Sequence, residues 1–579
     1  MELLELAQRW ADHDPDPTTA SSLRADIEAA RGGDEEALAR VGAAMNGPLE
    51  FGTAGLRGVV GPGESRMNLA VVIRATAGLC EVIKRHATGT PTLVVGCDAR
   101  YGSSDFATAA CRVASAAGVR VLALPQANPT PLTSFAVRHY GADAGVMVTA
   151  SHNPAPDNGY KVYLGGSVVT GDGQGVQIVP PFDAEIAAAI EATPPADEVP
   201  MNDDLVEAVD PRDEYVAEAV KLASGDADVR ADLRIVLTAM HGVGASLTSR
   251  VLAQAGFTNV SIVAAQAEPD PDFPTVPFPN PEEAGALDMA IEQARGEDAD
   301  LIIAVDPDAD RCALAVPDPA AAAGWRPLSG DQIGCLLGEF LASRGLEGSL
   351  ANSIVSSRLL ARIAHAHGLE HHTTLTGFKW IARAPQLAFG YEEAIGFCPN
   401  PAIARDKDGI ASSVVAASLF AALKAQGRTA WDELDRLAHA HGLHVTGPLT
   451  FRVEEIEQIA TGMARLRAQP PSELAGSPVV EVSDLAQGYK GLPPTDGVLV
   501  LTEAGDRVIA RPSGTEPKLK CYLEVILPAP EGEPVPWKAA YERLELIKRE
   551  FGQIIGLWAL TEGLRSTIEQ GCISAHVNR

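Results

Sequence analysis

The feature that most constrains this chain is a pattern that occurs three times. Thr92 to Cys97 is an apolar run, followed by Ser103-Ser104, an alanine-rich helical stretch, the stop Ala117-Gly118-Val119 and a second apolar run from Val121 to Leu124. Arg234 to Thr238 opens the same series, with Gly244-Ala245-Ser246, a helical stretch, Ala255-Gly256-Phe257 and Val260 to Val263. Ser353 to Val355 opens it again, with Ser356-Ser357, a helix from Arg358 to His367, Gly368-Leu369 and Thr373 to Leu375. A strand, a helix with a glycine stop and a second strand make a βαβ unit with a right-handed crossover. A chain of 579 residues is too long for one core, and a repeated unit of this kind predicts three related α/β domains with mixed sheets.

The last part differs in character. A helix from Glu454 to Leu466 is followed by Gly497 to Thr502, a turn at Ala504-Gly505-Asp506, Arg507 to Ala510 and Lys520 to Ile526, which predicts an antiparallel α+β module. Trp537 to Phe551 and Gln553 to Arg565 read as terminal helices, and Glu2 to Asp12 and Ser22 to Ala44 as two N-terminal ones. Turn-rich stretches at Thr193–Asp210 and Pro317–Pro327, and Thr446–Pro448, set the expected divisions. These are 1–45, 46–205, 206–320, 321–445 and 446–579.

A formal charge of −30 repels nucleic acids and anionic membranes, so neither is expected as a partner. The acidic amphipathic start, MELLELAQRWADHDPDP, does not read as a secretory signal, and no apolar stretch is long enough to span a bilayer. The eight cysteines contain no C-x-x-C pair and read as core residues of a reducing compartment. The expected location is the cytoplasm.

Within this frame several short motifs carry chemistry. The apolar strand Gly145 to Val148 runs into Thr149-Ala150-Ser151-His152-Asn153-Pro154. Ser151 is thereby placed on a tight loop at a strand's carboxyl end, where open α/β sheets bind ligands. There it can carry a covalent intermediate, given a metal, a base and anion donors. Asp306-Pro307-Asp308-Ala309-Asp310-Arg311 follows the strand Leu301 to Val305. In an extended segment alternate side chains share a face, so three carboxylates at i, i+2 and i+4 converge on one hard cation. A calcium EF-hand starts similarly but needs Gly sixth and Glu twelfth, where this chain has Arg311 and Pro317.

Phe51-Gly52-Thr53-Ala54-Gly55-Leu56-Arg57-Gly58 is a glycine-rich loop whose one charge is Arg57. Arg511-Pro512-Ser513-Gly514-Thr515-Glu516-Pro517-Lys518 has the arginine fork, hydroxyls and open backbone of a phosphate cradle. Thr376-Gly377-Phe378-Lys379 offers a cation beside a turn, and Tyr391-Glu392-Glu393-Ala394-Ile395-Gly396 two carboxylates for sugar hydroxyls. The groups His365, His367, His371, His372 and His439, His441, His444 lack metal-ligand spacing and read as surface and helix-end residues.

Taken together, TASHNP with Asn158-Gly159-Tyr160-Lys161, the DPDADR loop, the YEEAIG loop and RPSGTEPK resemble the α-D-phosphohexomutase superfamily, in this order and over about Gly47 to Ile526. The FGTAGLRG, LTGFK and YEEAIG wording is most similar to the branch of bacterial phosphoglucomutases and phosphopentomutases. The resemblance implies four domains around a central cleft, with a phosphoserine domain, a metal-loop domain, a sugar-loop domain and a phosphate-binding domain in that order. It implies a phosphorylated Ser151, and Mg²⁺ held by Asp306, Asp308 and Asp310 with an oxygen on Ser151. It further implies Lys161 and His152 in proton transfer, and Arg57 and Arg311 as transition-state cations. Substrate contacts would come from Thr376, Gly377, Lys379, Glu392 and Ala394. Arg511, Ser513, Gly514, Thr515 and Lys518 would bind the non-reacting phosphate.

The implied reaction exchanges glucose 1-phosphate and glucose 6-phosphate through glucose 1,6-bisphosphate, which would also serve as activator. Sugar phosphates would be the partners, and the chain a monomer or homodimer. Ala394 stands where many glucose-specific relatives carry Ser, which leaves mannose and pentose phosphates open. A metal-dependent sugar-phosphate phosphatase would use the same serine and acids.

Overall fold

The structure is a computed structural model and describes residues 2–51, 55–453, 455–512 and 518–557. It divides into two compact units, the first Met1–Ala313 with Gly396–Ser418 and the second Leu314–Ile395 with Leu419–Arg579.

The first unit opens with three helices, Glu2–Asp12, Pro17–Arg31 and Glu35–Ala44, rather than the two expected. The break falls at Gly32-Gly33, where Gly33 takes φ 94° and Asp34 then caps the next helix by accepting from the amides of Glu36 and Ala37. Ala7, Ala11, Leu23, Ile27 and Val41 form the small core of this layer.

The main sheet of the unit has the strand order Leu56–Val59, Asp157–Leu164, Ala144–Val148, Thr92–Cys97, Arg120–Ala123, Val206–Ala208, with Val176–Gln177 added to Asp157–Leu164. Thr92–Cys97 is parallel to both of its neighbours, whereas Asp157–Leu164 is antiparallel to Ala144–Val148 and to Leu56–Val59, so the sheet is mixed. Helices Leu69–His86, Ser103–Ala116 and Thr130–His139 cover it. Ala144–Val148 is therefore buried at every position, which explains its continuous apolar run. The second copy of the βαβ unit places Arg234–Thr238 parallel to both Leu301–Val305 and Asn259–Ile262.

In the second unit Ser349–Ser353 lies parallel to Glu370–Thr374 and Leu387–Glu392. The third copy is thus shifted from the expected Ser353–Val355. Leu350-Ala351-Asn352 is as buried as the rest of the strand, but its polar flanks hide it in the sequence. Residues Pro317–Pro327 include a hairpin in which Ala315 pairs with Pro327, and Thr446–Pro448 fall inside the ten-residue strand Leu443–Arg452.

The C-terminal sheet is antiparallel, in the order Leu443–Arg452, Lys518–Leu527, Arg507–Pro512, Val498–Thr502, Ser477–Asp484, Glu473–Leu474. Ile456–Ala468 and Trp537–Ile555 close its core through Met463, Leu466, Ile547 and Phe551. The latter helix runs on past the expected Phe551 to Gly556, at φ 83°. The part of the expected Gln553–Arg565 helix from 558 onward lies outside the described residues. No single helix among them is long and apolar enough to cross a membrane.

Candidate active site

Ser151 sits just beyond the carboxyl end of Ala144–Val148 and adopts φ 53°. A side chain in the left-handed region costs on the order of 1 kcal/mol and persists only where surroundings enforce it. Here the enforcement is visible. Arg100 donates to the carbonyls of Ser151 (2.6 Å), Asn153 (2.6 Å), Pro154 (2.8 Å) and Asp157 (3.0 Å), while Thr149 Oγ1 accepts from the Ser151 amide. Arg100 is itself positioned by Asp98, whose Oδ1 accepts from the Arg100 amide and from Ser103 Oγ. Neither residue stands out in the sequence, because Cys97-Asp98-Ala99-Arg100 looks like an ordinary strand-end turn.

The Ser151 hydroxyl donates to Asp306 Oδ2 at 2.7 Å and lies 3.2 Å from His152 Nδ1. Asp306, Asp308 and Asp310 are buried, and one oxygen of each lies within 4.8 Å of the others. They do converge, but not by strand alternation as expected. Residues 307–309 turn, with Ala309 at φ 55° and its amide donating to the Asp306 carbonyl. Loop carbonyls are tied from three sides, by the amides of Thr130 (to Asp308), Val243 (to Pro307) and Gly409 (to Ala309).

Charge in this loop is unevenly compensated. Lys161 Nζ lies 2.7 Å from both Asp308 Oδ2 and Asp310 Oδ2, and Lys407 Nζ 3.3 Å from Asp310 Oδ2. Thr130 Oγ1 also donates to Asp308 Oδ2 at 2.6 Å. Burial alone would raise all three acids, but the ammonium of Lys161 turns Asp308 and Asp310 below the usual carboxylate range. Asp306, without that partner, is pushed well above it by burial and by its two acidic neighbours. Burial lowers Lys161, yet Asp308 and Asp310 outweigh it and hold the ammonium above its ordinary value. This reverses the direction a lysine base needs, so proton transfer at Lys161 requires those carboxylates to be engaged elsewhere. His152 is driven well below its usual value by burial, with Arg311 and Arg57 adding, and is neutral near pH 7.

The Oδ1 atoms of Asp308 and Asp310 are buried and accept no hydrogen bond among the described residues. Buried carboxylate oxygens left this way fit a hard cation, for which a few oxygen ligands completed by water or phosphate suit magnesium. Arg311 donates its amide to Asp306 Oδ1 (2.9 Å) and turns Nε toward Asp310 at 3.9 Å. Arg57, on Leu56–Val59, donates to Asn153 Oδ1 at 3.2 Å. It reaches the loop because Gly55 lies so close to Asp157–Leu164 that a Cβ would stand 2.1 Å from the Tyr160 carbonyl oxygen. The structure thus brings Ser151, His152, Lys161, Arg57, Arg311 and the three acids together. It adds Arg100 and Lys407, which sequence reasoning missed; Arg405-Asp406-Lys407-Asp408-Gly409 was the available signal.

The remaining site residues lie in the second unit. Thr376 and Gly377 precede the short helix Phe378–Ile381 that carries Lys379, with Gly377 at φ 108°. Glu392 ends Leu387–Glu392 and is buried, Ala394 lies in the turn that follows, and Glu393 accepts from Ser353 and Ser356. Arg511 is the last residue but one of Arg507–Pro512, and Lys518 opens the next strand opposite Arg452. The buried Tyr522 phenol is pushed up by burial, with Glu393, Arg511 and Glu392 all near enough to act on it. Glu392 and Arg511 therefore share one neighbourhood. Ser513, Gly514 and Thr515 lie outside the described residues. Among the described residues, the metal-capable groups are the acid triad and an exposed His13, Asp197, Glu198 set, with neither histidine cluster among them.

A strained serine beside three buried acids lies on a series of α/β units with an antiparallel end, an arrangement shared by a known class of proteins. Four family models match in succession, described as phosphoglucomutase/phosphomannomutase α/β/α domains I (48–196), II (213–319) and III (329–440) and the C-terminal domain (450–531). A protein of Haemophilus influenzae described as a probable phosphomannomutase is 44% identical, over 79% of this chain and 93% of its own length. The human phosphopentomutase is 32% identical over 95% and 94%. The solved open form of parafusin, a phosphoglucomutase from Paramecium, shares the fold at a TM-score of 0.68 and 19% identity, covering 87% of this chain and 95% of its own. The chain belongs to the phosphoglucomutase/phosphomannomutase family of the α-D-phosphohexomutase superfamily, and is a mutase of that type, an intramolecular phosphotransferase.

Proposed function

We propose that the chain interconverts glucose 1-phosphate and glucose 6-phosphate through a phosphorylated Ser151 and glucose 1,6-bisphosphate, with Asp306, Asp308 and Asp310 holding Mg²⁺. The observation that carries this reading is the Ser151 hydroxyl, 2.7 Å from Asp306 in a backbone conformation enforced by Arg100. Bound there together with an oxygen on Ser151, the ion would neutralise charge on the transferring phosphoryl group.

The chain's own groups do the rest. A sugar hydroxyl attacks the phosphorus of phospho-Ser151. Its O–P bond forms as the serine O–P bond breaks, and the hydroxyl proton passes by way of Lys161, once Asp308 and Asp310 are engaged by the ion, to the released Ser151 oxygen, with neutral His152 assisting. Arg57 and Arg311 stabilise the equatorial oxygens. The bisphosphate then turns over and returns its other phosphate to Ser151, the same groups acting in reverse. Arg511, Ser513, Gly514, Thr515 and Lys518 would hold the non-reacting phosphate, and Thr376, Gly377, Lys379 and Glu392 the sugar. Bisphosphate would be needed to prime unphosphorylated enzyme. A cytoplasmic setting, where sugar phosphates are found, fits this role.

A pentose or mannose phosphate is the second reading, favoured by Ala394, which puts no hydroxyl at that position of the sugar loop, and by relatives described as phosphopentomutases and a probable phosphomannomutase. A coupled assay of glucose, mannose and ribose 1-phosphates with Mg²⁺ and trace hexose bisphosphate decides between them. The highest kcat/KM is expected for glucose 1-phosphate. Release of inorganic phosphate without isomer would replace the mutase reading with a phosphatase.

A further inference from the structure

We propose that the first unit carries a second ligand site, separate from the serine and the acids, for a small hydroxylated phosphate ester. An open cavity of about 430 Å³ is lined by Phe135, Arg138 and His139 from the helix Thr130–His139, by Glu214 and Glu218 from the helix Arg212–Val220, and by Ile403. That volume suits a small metabolite, since ligand pockets run from roughly 300 to 1,000 Å³.

Its chemistry is specific. Arg138 is half-buried, and its guanidinium has no hydrogen-bond or ion-pair partner among the described residues. Burial lowers its proton affinity and the nearby Arg405 guanidinium adds to this. Arg405 is itself paired with Asp172 at 2.9 Å and does not line the cavity, so the one desolvated, unanswered guanidinium there is the group a phosphate ester would match. Phe135 and His139 stack at 5.0 Å along the cavity, and Glu214 and Glu218 supply acceptors for hydroxyls.

The cavity is linked to the acid loop along two paths. Thr130, at the other end of the same helix, donates both its hydroxyl and its amide to Asp308. About 12 Å of helix separates it from Arg138, at the usual rise of about 1.5 Å per residue. Tyr215, edge-on to Phe135 at 5.6 Å, donates to Asp408 Oδ1 at 2.7 Å. Ile403 and Asp408 bracket Lys407, whose ammonium faces Asp310. A ligand seated on Phe135 and Arg138 therefore bears on both arms that hold the loop, and alters kcat without competing with substrate.

The test uses the full chain with Mg²⁺ and glycerol 3-phosphate as probe, read by calorimetry and by mutase assay. Expected is a site retained in Ser151→Ala, weakened at least about tenfold in Arg138→Met and several-fold in Glu218→Gln, and partly restored in Arg138→Lys. Arg138→Met should keep the wild-type rate without probe. The probe should change wild-type kcat about twofold or more at constant KM and leave Arg138→Met unaffected. Equal binding by wild type and both the Arg138→Met and Glu218→Gln variants, each shown folded by thermal melting, overturns the site. Inorganic phosphate binding as tightly as the ester overturns the hydroxyl-reading part, and an unchanged kcat at saturation overturns the coupling. Because binding is read directly, these outcomes stand whichever sugar the mutase prefers.

Discussion

Each unit buries a cluster of charge, and the two clusters are built on opposite terms. In the second unit Glu524 is buried and fully answered. Oε1 accepts from Ser357 Oγ (2.8 Å) and the Arg358 amide (2.8 Å), and Oε2 from Arg358 Nε (2.5 Å), with Arg507 at 3.3 Å. Arg507 goes on to hold the carbonyls of Ile354 and Ser356. Burial would raise Glu524, but Arg507 and Arg358 bring it down to about 2. In the first unit Lys161 answers Asp308 and Asp310 but not Asp306, which is raised, and two carboxylate oxygens accept nothing among the described residues. A buried carboxylate with partners on both oxygens costs the fold heavily when it or a partner is removed, whereas one with unanswered oxygens can take up a cation.

Substitutions can separate the two. Ser151→Ala should lose at least about a thousandfold in kcat while melting as wild type, because the proposed covalent route disappears and the fold does not depend on it. A steady-state assay beside a melting curve checks this, and near-normal turnover would reject the serine's role. Asp306→Asn should cost about a hundredfold or more in rate. Its metal-free stability should hold or rise, since like-charge repulsion is relieved, and the gain in melting temperature given by Mg²⁺ to the wild type should vanish.

Glu524→Gln should do the reverse, costing about 3 to 5 kcal/mol in denaturant unfolding by leaving two arginines unanswered. Activity per folded molecule should change little. Lowering pH provides a milder version of that break. Glu524 is depressed in the folded state relative to its ordinary 4.5, so its contribution is complete above about 4.5 and is lost as pH falls toward about 2. Wild type should lose stability across that window more steeply than Glu524→Gln. The smallest expected effect is at Ala394→Ser, a few-fold shift in kcat/KM toward glucose 1-phosphate over ribose 1-phosphate. No shift would remove Ala394 from the specificity argument.

The contrast also marks what sequence could reveal. The βαβ series was legible because a strand buried on both faces is apolar throughout, as at Ala144–Val148. The acids were legible as a cluster, yet the turn at Ala309 that gathers them was not, because a left-handed alanine leaves no mark in sequence. Glu524 alternates with Leu523 and Val525 as a solvent-facing residue would, and only tertiary packing shows it to be interior. Arg100 and Lys407 escaped for a related reason. Each is a lone cation whose partners come from distant segments, and periodicity carries no information about such meetings.

Arg100 reaches the serine loop almost wholly through main-chain carbonyls. Such a grip is blind to the identity of the residues it holds. The loop's shape is accordingly set apart from the side chain it presents: exchange of Ser151 for another small polar group should leave that mount in place, whatever chemistry the side chain carries.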